Sequence, residues 1–327
     1  MEKELLELID SAYLGEKYPI AQIISKIETK ENLEFRKQLF SELTKRNQGK
    51  EEGLTIGITG TPGAGKSSLL GEICKDFISM APNKKMAIVA IDPSSNISGG
   101  SILGDRTRVV LPRRENRIYF RSQPSQLELG GLNPYTYHVI RFLRNIFDYV
   151  FVETVGIGQN EIAVSLISDI SFLVMQPLGG DQVQFMKSGI MEVPDAFIIN
   201  KCDEESLANS SYYMLQTTLE FIKDILPDQN LPPIFKTSVV KRTGVKELLS
   251  FILSYTKRKD KNYEMKTQLK KWLTAEFGHW GLRIWNEANK SPNQTVRLGN
   301  ILEKAQSKIL YEEEEDKILQ LVQNHIK

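Results

Sequence analysis

Apolar residues follow two different spacings along the chain. Within residues 1–50 they recur every three to four positions, as at Phe35, Leu39 and Leu43, which predicts amphipathic helices. From residue 51 onward they form short runs separated by helix-length segments. Six runs are clear, at 54–59, 86–91, 149–153, 170–175, 196–200 and 234–237, and 118–120 is a candidate seventh. Apolar strands that alternate with helices predict an α/β fold, with a mostly parallel sheet covered by helices on both faces.

The strand pattern stops near residue 257. A polar link at 257–261 is followed by two long helical stretches, at 263–289 and 295–324. We therefore predict three consecutive parts. These are an N-terminal helical extension over 1–50, an α/β domain over 51–257 and a C-terminal helical arm over 258–327.

The composition argues against several classes of function. The 327 residues include 42 basic and 41 acidic side chains, a net charge of +1, so nothing indicates general attraction to nucleic acid or to an anionic membrane. Cys74 and Cys202 form no CxxC pair, and the three histidines are scattered, which argues against a disulfide scaffold or a zinc module. The chain has no apolar run of about 18 residues, and its acidic N-terminus resembles neither a signal nor a transit peptide. We expect a cytoplasmic protein.

The first chemical motif follows the first apolar run. The segment from Gly60 to Ser67 fits GxxxxGK[ST] and lies between a predicted strand and a predicted helix at 68–77, the context of a P-loop. Its glycines let backbone N–H groups turn toward phosphate oxygens, and the helix N-terminus favours negative charge. We expect Lys66 to reach the β- and γ-phosphates and Ser67 to bind Mg²⁺. The predicted phosphate-binding residues are Gly60, Thr61, Pro62, Gly63, Ala64, Gly65, Lys66, Ser67 and Ser68.

The second motif indicates which base is bound. Asn200, Lys201 and Asp203 fit NKxD at the end of an apolar run. A carboxylate at position 203 can accept hydrogen bonds from both N1–H and the 2-amino group of guanine, and adenine offers no such pair of donors. The segment Thr237, Ser238 and Val239, at the end of the next run, resembles the short loop whose backbone N–H contacts guanine O6. The sequence therefore predicts bound GTP or GDP.

Three acidic residues are candidates for the metal and for the attacking water. Asp92 and Glu153 each end an apolar run, which places both near the γ-phosphate. Metal binding is the first role we predict for Glu153, whereas Asp92 could bind the metal or orient water. Asp105 lies in a glycine-rich stretch that could approach the nucleotide. The predicted metal ligands are Ser67, Asp92, Asp105 and Glu153, and the predicted catalytic residues are Lys66, Asp92, Asp105 and Glu153.

Taken in order, these segments resemble one known family. The P-loop is followed by Ile-Asp-Pro-Ser-Ser at 91–95, by Ser-Gly-Gly-Ser-Ile-Leu-Gly-Asp-Arg-Thr-Arg at 98–108 and by Val-Glu-Thr-Val-Gly-Ile-Gly-Gln-Asn-Glu at 152–161. With Lys-Ser-Gly-Ile-Met-Glu at 187–192, they resemble the MeaB/ArgK family, the GTPases associated with methylmalonyl-CoA mutase. The resemblance covers about residues 15–257.

The resemblance implies a chaperone for a cobalamin-dependent acyl-CoA mutase, which gates cofactor loading and protects the mutase. It implies a homodimer joined largely by the C-terminal helices. It also implies that the segment 176–187 acts as an additional switch. Here the chain departs from the family pattern at Leu178, where the family has glycine, and at Phe185, whereas Lys187 is retained. We expect this loop to be stiffer or differently packed.

Other functions remain open on the residues alone. GTP could act mainly as a switch for partner affinity, with hydrolysis incidental. The same core could belong to a metal-insertion GTPase, although no Cys/His cluster is visible in the sequence. A kinase on this scaffold would pass the γ-phosphate to another acceptor. The older description of ArgK concerns transport-associated ATPases, and the NKxD pattern at 200–203 argues against ATP.

Overall fold

The computed structural model describes residues 2–48, 51–92, 115–125, 132–154, 160–177, 194–225, 231–256, 262–290, 315 and 317–320. The chain divides into two compact units. The sheet unit comprises Glu52–Asn133 and Ile146–Lys259. The helical unit comprises Met1–Glu51, Pro134–Asn145 and Asp260–Lys327. Both terminal segments therefore belong to the same unit, together with a short segment from the middle of the chain.

Within the part of the chain that the structure describes, seven strands form the sheet. In chain order they are β1 (Leu54–Gly60), β2 (Met86–Asp92), β3 (Ile118–Pro124), β4 (Tyr149–Thr154), β5 (Ile170–Met175), β6 (Ala196–Ile199) and β7 (Ile234–Lys236). Their spatial order is β3-β2-β4-β1-β5-β6-β7, and every neighbouring pair is parallel. The predicted fold class is confirmed. The candidate run at 118–120 is the start of a full strand at one edge of the sheet.

Three helices precede the first strand, and the other described helices lie between the strands or after them. In chain order they are α1 (Glu2–Tyr13), α2 (Lys17–Ile27), α3 (Leu33–Arg46), α4 (Lys66–Met80), α5 (Thr136–Arg144), α6 (Asn160–Ile167), α7 (Glu205–Ile225), α8 (Val245–Ser254) and α9 (Asn262–Lys290). A short 3₁₀ turn at Lys30–Asn32 precedes α3. Among the described residues, no helix combines the length and the apolar character needed to cross a bilayer.

Alternate residues of the buried strands face different helices. Phe172 and Ile198 belong to the apolar cluster that contains Leu70 of α4 and Leu248 of α8. Their strand neighbours, such as Leu173, pack instead with residues of α7. Every residue of β1, β2 and β5 is buried, as expected for strands covered on both faces. The sheet therefore has helices on both sides, and its carboxyl edge remains for the loops that carry the motifs.

The helical unit contains buried charges that the apolar pattern does not reveal. Arg36 of α3 is completely buried, and its guanidinium donates to the carbonyl oxygens of Ile27 and Thr29 at 3.2 and 2.7 Å. It also pairs with Glu276 of α9 at 2.8 Å. The planar guanidinium presents its donors on separate nitrogens in a fixed fork, so it can meet acceptors that are spread more widely than those around a single ammonium nitrogen. Arg36 thereby connects the end of α2 with α9.

A second buried cluster lies around Glu315. His138 Nε2 and Arg141 Nη1, both of α5, are 3.1 and 3.3 Å from its carboxylate oxygens. Burial opposes the charge on Glu315, but the contacts with His138 and Arg141 hold the pKa of its carboxyl at about 2. Burial lowers the pKa of the His138 imidazole. The carboxylate is therefore ionised in the folded protein at neutral pH.

Candidate functional site

The carboxyl ends of the parallel strands bring the predicted motifs to one edge of the sheet. β1 ends at Gly60, where the phosphate loop begins, and β2 ends at Asp92. β4 ends one residue after Glu153, β6 just before Asn200, and β7 just before Thr237. In open α/β sheets, ligands bind at this edge.

The phosphate loop between β1 and α4 has a backbone that suits glycine. Gly60 has a φ of 139°, and a Cβ atom there would lie 1.9 Å from the carbonyl oxygen of Val174. Gly65 has a φ of 85°, and its Cβ would lie 2.6 Å from Nδ2 of Asn200. Because Gly65 is also the N-cap of α4, no side chain of the capping residue covers the first N–H groups of that helix. This helix N-terminus can therefore receive an anion.

Lys66 is the first residue of α4, and it is buried. Its Nζ donates to the carbonyl oxygen of Gly60 at 2.8 Å and to that of Thr61 at 2.9 Å. These two bonds hold the ammonium group against the phosphate loop. That is the position from which a lysine could meet the β- and γ-phosphates of a nucleotide.

Ser67 and Glu153 meet beside the phosphate loop. Ser67 Oγ donates to Glu153 Oε1 at 2.7 Å, and Glu153 is buried. A hydroxyl and a carboxylate supply the oxygen ligands that Mg²⁺ prefers. The negative charge of a buried carboxylate would also be compensated by a cation. The residues present therefore fit a magnesium site, and their individual roles stay predictions.

Asp92 stands at the same edge of the sheet. Its side chain is buried and accepts a hydrogen bond from Ser122 Oγ of β3. Asp105 lies outside the described residues, as do the switch positions Leu178, Phe185 and Lys187.

Asn200 connects the phosphate loop with the loop predicted to bind the base. It is 1% exposed, and its Nδ2 donates to the carbonyl oxygen of Ala64 at 2.8 Å. Its Oδ1 accepts a hydrogen bond from Thr237 Oγ1 at 3.0 Å, and its backbone N donates to Met175 O at 2.8 Å. One amide side chain thus holds the loops after β1, β6 and β7 in a fixed relation.

The predicted base-binding side chains follow Asn200. Lys201 has a φ of 61°, which is unusual for a residue with a side chain, and its Nζ donates to Gln176 Oε1 at 3.3 Å. Asp203 is exposed, and one of its carboxylate oxygens accepts a hydrogen bond from Ser238 Oγ. Ser238 Oγ in turn accepts from the backbone N of Lys241 at 2.9 Å. The Ser238 hydroxyl therefore restrains the carboxylate that is predicted to bind guanine.

Two contacts of this region were not predicted from the sequence, those of Ser122 with Asp92 and of Gln176 with Lys201. Ser122 belongs to no recognised motif, and Gln176 was placed only at the start of the segment 176–187 that the family resemblance implies is a switch. The remaining predicted nucleotide-binding residues lie in the same loops or in the first turn of α4, and their contacts with a nucleotide stay predictions. They are Thr61, Pro62, Gly63, Ala64, Ser68 and Val239.

Comparison with known proteins adds a family to this geometry. The family model described as "Methylmalonyl Co-A mutase-associated GTPase MeaB" matches residues 20–277. A protein of Pyrococcus abyssi whose name places it among the GTPases is 32% identical over 273 residues, which are 83% of this chain and 82% of the relative. GTPase ArgK of Escherichia coli is 34% identical over 205 residues, which are 62% of this chain and 61% of the relative.

A solved structure has a similar fold. The crystal structure of a LAO/AO transport system kinase superposes with a TM-score of 0.56 and 22% sequence identity, covering 93% of this chain and 98% of its own. At this level of identity the likeness concerns the fold alone.

Proposed function

Because this chain belongs to the MeaB family of GTPases associated with methylmalonyl-CoA mutase, we propose that it is a Mg²⁺-dependent GTPase that serves a cobalamin-dependent acyl-CoA mutase as a chaperone. In this role it gates the loading of the cofactor and protects the mutase. The observation that supports the nucleotide part most directly is the hydrogen bond from Asn200 to the carbonyl of Ala64, at 2.8 Å. It makes the phosphate loop and the NKxD loop two parts of one site.

Guanine selection rests on Asp203. Its carboxylate accepts from N1–H and from the 2-amino group, and Ser238 restrains its rotation. If adenine entered, the carboxylate would lose both donors, and a site built for a donor pair rejects the wrong base strongly. Lys201 lies along the base plane in this proposal, with its ammonium next to Gln176.

At the other end of the site, backbone N–H groups of the phosphate loop and the Lys66 ammonium bind the phosphates. Ser67 and Glu153 would hold Mg²⁺, with Asp92 and Asp105 as the further candidates. When bound, the metal neutralises charge on the β- and γ-phosphate oxygens. In hydrolysis, water attacks the γ-phosphorus. The bond between the γ-phosphorus and the oxygen that bridges it to the β-phosphate breaks, and GDP and phosphate are released. Asp92 or Glu153 orients that water.

The guanine assignment can be tested with one substitution. Asp203→Asn replaces the acceptor for two donors with an amide, so we expect the affinity for GDP to fall about 100-fold. Xanthosine diphosphate, which carries a carbonyl in place of the 2-amino group, should become the better ligand of the variant. Calorimetry with GDP, ADP and xanthosine diphosphate measures all three. Equal affinity of the unmodified protein for GDP and ADP would refute the base assignment.

The chaperone role requires a mutase in the assay. We expect purified methylmalonyl-CoA mutase or isobutyryl-CoA mutase to form a complex with this protein on gel filtration and to raise its GTPase rate. Neither a complex nor a change in rate with any such mutase would contradict the role. Glu153→Gln separates a chaperone from a simple switch, because cofactor loading that survives without hydrolysis would favour the switch. Labelled product other than inorganic phosphate would favour a kinase.

We also propose a cytoplasmic homodimer joined through the helical arm over 258–327. Light scattering of the full chain tests this assembly: we expect the mass of two chains, and the mass of one chain would contradict the dimer.

A further inference from the structure

The register of the sheet places four residues in one row near its carboxyl edge. Ile58 of β1 pairs with Glu153 of β4, Glu153 pairs with Ala90 of β2, and Ala90 pairs with Ser122 of β3. Residues paired in this way point to the same face of a parallel sheet. Because Glu153 contacts Ser67 of α4, this row lies on the face that α4 covers.

Asp92 lies on the same face of the sheet as this row of residues, closer to the carboxyl edge. It lies two residues after Ala90 on β2, so its side chain points to the same face as those of Glu153 and Ser122. The carboxylate is 1% exposed, and Ser122 Oγ donates to its Oδ2. The Asp92 backbone is also fixed, because its carbonyl oxygen accepts a hydrogen bond from Ser125 N at 2.8 Å.

A carboxylate in this position has one important freedom, rotation about its side-chain bonds. A hydroxyl that donates to one of its oxygens removes much of that freedom, and hydrogen bonds to an ionised acceptor are stronger than neutral ones. The donor comes from the edge strand β3, whereas the P-loop and Glu153 belong to strands further inside the sheet. Ser122 can therefore orient Asp92 from the side away from the phosphate loop.

We propose that Ser122 is a positioning residue of the nucleotide site, whose hydroxyl fixes the orientation of the Asp92 carboxylate relative to the metal and the phosphates. Ser122 acts through Asp92 and touches neither the nucleotide nor the metal. The inference rests on the proposed function, because it requires Asp92 to serve the metal and phosphate end of a GTP site.

The test compares GDP affinity with and without Mg²⁺. Binding of a fluorescent GDP analogue is measured in excess EDTA and in Mg²⁺, and the ratio of the two dissociation constants gives the coupling between metal and nucleotide. Four variants are compared with the unmodified protein: Ser122→Ala, Ser122→Thr, Asp92→Asn and the double variant Ser122→Ala/Asp92→Asn. Ser79→Ala is the control. Ser79 is an exposed residue of α4, and its hydroxyl donates a hydrogen bond to the backbone carbonyl of Asp76 in the same helix.

We expect Ser122→Ala to lower the coupling about tenfold, in the range of a lost hydrogen bond to a charged group, while affinity in EDTA changes less than about twofold. Ser122→Thr keeps the hydroxyl and suits a strand, so it should retain the coupling. The coupling between Mg²⁺ and GDP in the double variant should be no weaker than in Asp92→Asn alone, since the serine acts through the aspartate. Circular dichroism of each variant shows whether the sheet is intact.

Three results would overturn the inference. They are unchanged coupling in Ser122→Ala, loss of coupling in both Ser122→Ala and Ser122→Thr, and additive effects of Ser122→Ala and Asp92→Asn. Failure of the proposed function has a different signature, because the unmodified protein would then show no preference for GDP over ADP. If the unmodified protein binds GDP and couples it to Mg²⁺ normally, and Ser122→Ala leaves that coupling unchanged, only the positioning role of Ser122 is refuted.

Discussion

Two glycines of the phosphate loop allow the contact between this loop and Asn200 to be measured. Gly63 and Gly65 have nearly the same left-handed backbone, with φ of 81° and 85°. A Cβ atom on Gly63 would meet nothing within 4 Å, whereas one on Gly65 would lie 2.6 Å from Asn200 Nδ2. Alanine at either position therefore causes similar backbone strain, and only alanine at Gly65 also displaces Asn200.

The expected costs follow from this difference. An L-residue in the left-handed region costs about 1–2 kcal/mol, which is the whole expected effect of Gly63→Ala. Gly65→Ala also disturbs the bonds from Asn200 to Ala64 O and from Thr237 to Asn200, at 2.8 and 3.0 Å, each worth about 1 kcal/mol. Because Asn200 is 1% exposed, water cannot readily replace those bonds. We expect Gly65→Ala to cost about 3–4 kcal/mol in total.

The measurement is the free energy of unfolding of the nucleotide-free protein in urea, followed by circular dichroism and by hydrogen exchange of β1 and β6. Tryptophan fluorescence is unsuitable, because all three tryptophans, Trp272, Trp280 and Trp285, belong to the helical unit. In an Asn200→Ala background the clash partner is absent, so Gly65→Ala should then cost no more than Gly63→Ala. The reasoning would be refuted if the two glycine variants were equally destabilised, or if Asn200→Ala left the cost of Gly65→Ala unchanged.

Two further predictions concern the helical unit. Arg36→Lys should lower the free energy of unfolding of this unit by about 3 kcal/mol or more, because one ammonium cannot replace a buried guanidinium that pairs with Glu276 and with backbone carbonyls. Urea unfolding followed by tryptophan fluorescence measures this change, with Lys45→Ala as the exposed control. An equal effect of the two substitutions would contradict the prediction. Glu315→Gln should change the acid sensitivity of this unit. The folded pKa of about 2 lies below the ordinary value of 4.5, so Glu315 stabilises the fold above pH 4.5 and this contribution is lost as pH falls toward 2. The unfolding midpoints of the original protein and the variant should therefore approach one another as pH falls from 4.5 toward 2, and parallel curves over this range would show that Glu315 does not titrate in this way.

The strands could be predicted from sequence to the extent that both of their faces are buried. β1, β2 and β5 are buried at every position, so their runs of apolar residues are nearly continuous. β3 (Ile118–Pro124) is an edge strand that is only partly buried, and polar residues occupy its second half. Its pattern is correspondingly weak, and only its first three residues were recognised as a candidate strand.

The candidate site divides in the same way. Gly60, Lys66 and Asn200 belong to motifs in which the spacing itself carries the chemistry, so they could be identified from one sequence. Ser122 and Arg36 could not, because their partners, Asp92 and Glu276, are fixed by strand register and helix packing. Arg36 shows the problem most clearly, since an arginine on an amphipathic helix is expected at the solvent side, and here it is completely buried.

The end of strand β5 lies between the two loops of the proposed nucleotide site and contacts both of them. Gly60 lies so close to the Val174 carbonyl that no side chain fits between them, and Asn200 N donates to Met175 O at 2.8 Å. The phosphate loop and the base-binding loop therefore begin from opposite sides of the same strand end. Gln176 follows at once and accepts a hydrogen bond from Lys201 at 3.3 Å. A nucleotide that shifts either loop must therefore work against the end of β5, whose backbone contacts both loops.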